Sequence, residues 1–274
     1  MKDKVSYILI FAVLLVGLSL LLYPTLSNYW NSYHQSRAIA TYSESVASLD
    51  EVSYEKTLSD AKAFNKTLAN SPVDFTLSDS QKVIYENLLN IDGNGIMGYV
   101  EIESIRCSLP IYHDTKESVL QVAIGHIEWS SLPVGGESTH CVISGHRGLP
   151  SARLFTDINK LSEGDTFTLC VLNEKLTYEV DKILIVEPHE TEALEIVEGK
   201  DYCTLVTCTP YGVNSHRLLV RGHRIENPLN SGEMFITAEA FQIEPLIVAA
   251  VIAIPIFVLL TVIVLLWSKK SHKR

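Results

Sequence analysis

The chain is short of positive charge. Its 274 residues carry 22 Lys and Arg against 32 Asp and Glu, a formal net charge of −10. A chain-wide basic surface for nucleic acid is thereby excluded. No C-x-x-C pair or zinc-ligand spacing occurs among Cys107, Cys141, Cys170, Cys203 and Cys208, so neither a dithiol redox motif nor a structural zinc site is indicated. Internal repeats and low-complexity runs are lacking, and 14 Gly and 10 Pro are too few for a collagen-like or disordered chain. Five cysteines are also too sparse for a small disulfide scaffold.

Charge is missing altogether from two stretches, 5–22 and 246–267. They carry much of a mean hydropathy of +0.17, high for a soluble protein. Each is close to the ~20 apolar residues that span a bilayer. The first follows Lys2 and Lys4 and has no Ala-x-Ala after it, which favours an uncleaved anchor over a signal peptide. The second ends at Trp267 and precedes Lys269, Lys270, Lys273 and Arg274, a cytoplasmic signal by the positive-inside rule. The expected layout is a cytoplasmic 1–4, a membrane anchor over 5–23, an outer segment, a second span over 246–267 and a basic cytoplasmic tail, 268–274. Both termini then lie inside the cell membrane. Residues 24–244 hold 16 basic and 31 acidic side chains; such a surface attracts lysine-bearing partners, or simply keeps the domain soluble.

Between the spans the pattern changes near residue 95. Residues 30–91 show helical periodicity, broken at Ser71-Pro72-Val73-Asp74-Phe75. Ser78-Asp79-Ser80-Gln81 offers a capping box for a helix reaching residue 89. Eight short β-rich runs follow, at 98–105, 109–112, 121–126, 140–144, 166–172, 176–186, 202–207 and 217–225. One helix, 151–161, and a turn over 192–197 interrupt them. This reads as a mostly β domain over 95–228, a closed barrel or sandwich, preceded by a helical segment, 24–94, and followed by a linker, 229–245.

Four cysteines fall within apolar runs, where a small buried hydrophobe is the expected role. Cys208 ends its run, just before Thr209-Pro210-Tyr211-Gly212 turns the chain. A thiol at a strand end is accessible to substrate. Arg217 opens the next run nine residues later and returns beside Cys208 if the two strands pair. A guanidinium there would stabilise a thiolate or an oxyanion. His146, in Ser144-Gly145-His146-Arg147-Gly148-Leu149-Pro150, also sits where a strand gives way to a loop. A cysteine nucleophile with a distant histidine is a recurrent catalytic arrangement.

The residues themselves are more specific than the spacing. Thr204-Leu205-Val206-Thr207-Cys208 with Arg217 resembles the TLxTC…R signature of sortases, membrane-anchored cysteine transpeptidases of Gram-positive bacteria. The likeness is colinear over 95–225 and includes Ser131-Leu132-Pro133-Val134-Gly135-Gly136 and Leu154-Phe155-Thr156-Asp157. The Thr-Pro-Tyr-Gly turn, the His-Arg-Gly-Leu-Pro loop and the second anchor resemble class C, the pilin-polymerising branch. The resemblance implies an eight-stranded sortase β-barrel with Cys208, His146 and Arg217 as catalytic residues and no metal or organic cofactor. It implies attack by Cys208 on an LPxTG-like sorting signal of a pilin subunit or surface protein, with a pilin lysine as acceptor. The alternative acceptor is a cell-wall amine, on lipid II or peptidoglycan. His140, Tyr211 and Asn214 are expected to support the site or line its pocket. Class C enzymes carry an Asp-Pro-Phe or Asp-Pro-Trp lid; here Pro72–Phe75 has the same residue types in another order. Asp74 and Phe75 either form such a lid or belong to an ordinary interhelical turn.

Overall fold

Helical periodicity in the first ninety residues becomes three helices: α1 (Lys2–Ala47), α2 (Glu51–Ala69) and α3 (Asp79–Asn87). The computed structural model describes residues 2–71 and 75–227, with Phe257 and Thr261. Two compact units emerge, Trp30–Ser231 and a second built on Met1–Tyr29 and Gly232–Arg274. Pro24, expected just beyond the end of the first span, instead lies inside α1, where it forgoes one backbone hydrogen bond. Among the described residues one helix is long and apolar enough to cross a membrane: Ile10–Ala47, whose most apolar stretch has a mean hydropathy of 2.1. The expected linker, second span and basic tail lie outside the described residues, save that Phe257 and Thr261 are helical.

The helix boundaries have local causes. Asp50 caps α2 by accepting from Ser53 N at 2.7 Å. The expected capping box opens α3: Gln81 N donates to Ser78 Oγ, and Ser78 N to Gln81 Oε1 at 2.9 Å. The helix stops at Asn87, two residues short of the expectation, because Leu88 turns extended at ψ 135° and Leu89 then enters the left-handed region at φ 58°.

Eight strands follow: β1 (Ile96–Ile102), β2 (Cys107–Tyr112), β3 (Ile124–His126), β4 (Thr139–Ser144), β5 (Thr166–Val171), β6 (Glu174–Val186), β7 (Asp201–Thr209) and β8 (His216–Arg224). They close a barrel in the order β1-β2-β3-β4-β7-β8-β6-β5, with β1 also pairing β5. Pairs β2/β3 and β4/β7 are parallel and the rest antiparallel. Closure leaves no free edge to aggregate. Three expectations need correction. Residues 103–105 form a 3-10 turn ending at left-handed Arg106, not strand. The run expected at 121–126 keeps only Ile124–His126, preceded by the short helix α4 (Glu117–Leu120). The expected helix at 151–161 is a kinked 3-10 segment, Leu154–Lys160.

Alternation assigns the faces. Cys141, Ile143, Cys203, Leu205, Leu218 and Val220 point into the buried barrel core. On the outer face of β4, β7 and β8, Val142, Val206 and Leu219 form a second apolar stripe, covered by Leu194 from the β6–β7 connection and by Trp129. Each N-terminal helix also drives one buried polar hook into the barrel. Tyr42 OH donates to Met97 O (2.9 Å) and accepts from Leu172 N (2.8 Å). Asn65 donates to Leu132 O (3.0 Å) and accepts from Leu132 N (2.7 Å). Tyr85 OH meets His126 Nδ1 at 3.0 Å and accepts from Asp114 N at 3.1 Å. Burial drives both phenol pKa values well above the ordinary tyrosine range, so both hydroxyls stay protonated.

Candidate active site

Strand register brings the three expected residues together. In the antiparallel pair β7/β8, Cys208 stands directly opposite Arg217. Both lie on the outer face, Cys208 continuing Thr204 and Val206, Arg217 preceding Leu219. In the parallel pair β4/β7, Ser144 is level with Val206. The chain after β4 keeps this register: Gly145 N donates to Val206 O (3.0 Å), Thr207 Oγ1 to Gly145 O (2.7 Å), and Arg147 Nη1 to Thr209 Oγ1 (3.3 Å). His146, two residues beyond Ser144, is thereby held alongside Cys208, two residues beyond Val206. All three side chains are half-buried at one rim of the barrel.

The loops explain why the chain halts there. Thr209-Pro210 is a cis peptide, and the Pro210 carbonyl accepts from Val213 N (3.1 Å) and Asn214 N (3.0 Å). Asn214 adopts φ 59°, a conformation asparagine tolerates, and its carbonyl accepts from Arg217 Nη1 at 3.2 Å. The same Nη1 reaches His216 O at 3.2 Å, so the turn anchors one arm of the guanidinium. Tyr211 is exposed, its ring against Gly148, where an added Cβ would lie 2.9 Å from it; at φ 78° that position suits glycine alone. Gly145 is equally constrained, since a Cβ there would lie 2.7 Å from both Ile124 and Phe155. These contacts lock the histidine loop to the cysteine loop.

One neighbour was invisible in the sequence. Glu117 Oε2, at the start of α4, lies 3.4 Å from His146 Nε2. Hydrogen bonds from Gln121 and then His146 hold the exposed Glu117 carboxyl below the usual carboxylate range. No spacing rule links residues 29 apart on separate elements. Arg147 is a second such residue: beside its bond to Thr209, its Nε is buried with no partner.

His140 is not brought to this rim. It is buried six residues back along β4, about 20 Å at a strand's rise. Its Nδ1 donates to Glu195 O (2.9 Å), which leaves Nε2 to accept from Thr204 Oγ1 (2.7 Å). Burial drops its pKa to about 4, so the ring is neutral at physiological pH. It pins the β6–β7 connection to the sheet. Phe75 also lies at that far end, edge-on to Trp129 with ring centroids 5.0 Å apart. Together with His140, Leu194 and Glu195 it lines a cavity of about 1110 Å³ between α2 and the sheet, of which Cys208, His146 and Arg217 are not part. Asp74 lies outside the described residues.

Three of the four remaining cysteines follow expectation, and Cys107 is half-buried. All five are free thiols; Cys141, Cys170 and Cys203 are buried, and burial pushes the Cys170 thiol up to about 12. No cluster able to hold a metal ion occurs among the described residues. A half-buried thiol facing a guanidinium, with an imidazole on the adjacent strand extension, is an arrangement for nucleophilic acyl transfer.

The chain is similar to known proteins over its barrel. A family profile described as "Sortase domain" matches residues 100–225. Sortase D of Bacillus subtilis is 30% identical over 131 residues, 47% of this chain and 63% of its own. The chain thus spans somewhat less than two thirds of the curated relatives it matches. Solved structures extend further. Sortase C1 from Streptococcus agalactiae is 53% identical at a TM-score of 0.69, covering 70% of this chain and all of that one. Streptococcus pneumoniae sortase C, whose structure addresses catalysis and pilin substrate specificity, is 46% identical at 0.63, over 70% of this chain and 97% of that one. Clostridium perfringens sortase C with the C-terminal cell wall sorting motif is 41% identical at 0.63, over 70% of this chain and all of that one.

Proposed function

Because the chain belongs to the sortase family, with strong structural likeness to its class C members, we propose that it is a membrane-anchored cysteine transpeptidase of pilus assembly. Cys208 Sγ attacks the threonine carbonyl of an LPxTG-like signal. The C–N bond to glycine breaks, His146 gives a proton to the departing amine, and a thioacyl-enzyme remains. A lysine amine of a pilin subunit then attacks the thioester, losing its proton to His146, and an isopeptide bond forms as the thiol leaves. Arg217 steadies the carbonyl oxygen through both tetrahedral stages. The apolar stripe of Val142, Val206 and Leu219, packed beneath Leu194 and Trp129, supports the sheet that carries Cys208.

The observation that carries this reading is the register: Cys208 directly opposite Arg217, with the His146 loop hydrogen-bonded along β7. The pilin acceptor is preferred over a cell-wall amine because the class C structural relatives reach 53% identity whereas the curated sortase D reaches 30%. The proposed layout keeps an anchor over 5–23, a helical segment over 24–94 and a catalytic barrel over 95–228. The second span, the linker and the cytoplasmic termini remain part of this proposal.

The test is chemical. Incubation with an LPxTG peptide should trap a thioacyl adduct on Cys208 by mass spectrometry, and polymer formation with a lysine-bearing pilin should follow. Cys208→Ala should abolish both. Pilus polymers of normal length in a Cys208→Ala strain would overturn the mechanism.

A further inference from the structure

The stretch after the first apolar run is unlike the rest of the outer chain. No Lys, Arg, Asp or Glu occurs between Val5 and Ser36, well beyond the ~20 residues a bilayer span requires. The surplus is aromatic: Tyr23, Tyr29, Trp30 and Tyr33 fall within eleven residues. Trp30 and Tyr33, three residues apart, share one face of the helix. Trp30 is 64% and Tyr33 50% exposed. Scattered apolar residues on a surface need no explanation, but a continuous uncharged aromatic stripe does.

The opposite face of the same two turns is fully engaged. Asn31 Nδ2 donates to Ser151 O at 2.8 Å, and Gln35 Nε2 to Val122 O at 2.6 Å. Ser151 lies in the loop after β4 that also carries His146, and Val122 follows α4, whose Glu117 touches His146. The aromatic face and the rim of the Cys208 site are therefore joined through one helix thickness. From Leu22 to Trp30 is eight residues, no more than about 28 Å even fully extended. Tyrosine and tryptophan concentrate at the lipid headgroup level, where an amphipathic ring has both an apolar and a wet neighbour.

We propose that the outward face of α1 around Trp30 and Tyr33 docks on the lipid headgroup layer and holds the rim of the Cys208 site at the bilayer surface. The proposal rests on the anchor reading of residues 5–23 but goes beyond it. An anchor alone fixes the chain to the membrane and leaves the barrel free to stand away from it. A docked aromatic face removes that freedom and sets the height at which substrate is met. Arg37, the first charge after the run, then reaches lipid phosphate.

The full-length chain is reconstituted into phosphatidylcholine vesicles as the variant W129F/W267F, which leaves Trp30 as sole tryptophan. Lipids brominated high on the acyl chains should quench about half or more of its emission, and deeply brominated lipids less. Water-like, unquenched emission would overturn the proposal. Blue-shifted but unquenched emission would overturn it too, because it would mean that protein, a second copy or another segment of this chain, covers the face. The variant W30F/W267F, which keeps Trp129, should show no shallow-quenched component, which guards against a misfolding effect of W129F. Flotation of the same vesicles after an alkaline wash separates the two readings. A chain that fails to float defeats the anchor, whereas one that floats with unquenched Trp30 defeats the docking alone.

Discussion

At the residue scale, the site depends on a geometry that charge alone cannot reproduce. Arg217 is tethered through Nη1 to two backbone carbonyls, so the rest of its planar fork is pre-aimed. Lysine keeps the charge but loses the fork. Arg217→Lys should lower kcat by about 10²–10³ with a smaller change in KM, in the range of a lost oxyanion donor, read by peptide transpeptidation kinetics. His140 gives a stability prediction. Its imidazole takes a proton only below about pH 4 in the fold, against about 6.5 when unfolded. The unfolded chain therefore holds more protons in that window, and stability falls as pH drops from about 6.5 to about 4, by on the order of 3 kcal/mol. His113, its pKa also lowered chiefly by burial, acts in the same direction. Urea unfolding across that window should show a flatter slope in His140→Gln. Cys208, His146 and Arg217 were legible in the sequence because each ends or opens an apolar run. His140 was misplaced because a motif gives order along a chain and not distance along a strand.

At the element scale, the sequence announced what is local and missed what is shared. The capping box at Ser78 and the eight strand cores are local patterns, and they appear where expected. The hooks of Tyr42, Asn65 and Tyr85 are not local: each pairs with backbone or side-chain groups of the barrel. Tyr42→Phe leaves the Leu172 N–H and the Met97 carbonyl without that partner. It should cost about 1–3 kcal/mol in urea unfolding while sparing activity. Gly145 lies between elements as well. An alanine Cβ would press on Ile124 and Phe155, moving the loop that carries His146. Gly145→Ala should destabilise by about 1–3 kcal/mol and lower kcat/KM by about 100-fold, the second effect exceeding what lost fold population explains.

At the scale of the whole molecule, the helices are part of the catalytic unit. Ala38, Tyr42 and Val46 of α1 pack into the same core as the barrel strands, and Trp30–Ser231 is one compact unit. A chain beginning at residue 30 should therefore melt cooperatively. One beginning at residue 48 should melt at least about 8 °C lower, having lost a buried tyrosine and valine. Differential scanning calorimetry of the two would decide this. The acidity of residues 24–244 has no local structural cause.

The two uncharged runs, the strand cores along the chain and the candidate residues Cys208, His146 and Arg217 were readable from local pattern. These follow from composition and from periods of two and 3.6, which every segment displays without reference to any other. Which strand lies beside which emerges from the folded barrel alone. Parallel pairing of β4 with β7, across a connection that carries β5 and β6, is what sets His146 level with Cys208 and leaves His140 at the far end of the same face. Burial is likewise a property of the assembled barrel: it turned His140 into a neutral strut and made buried hooks of Tyr42, Asn65 and Tyr85. The initial shortage of positive charge acquires its sharpest meaning there. The cation paired across the strands with Cys208 is Arg217, and strand register rather than abundance put it in place.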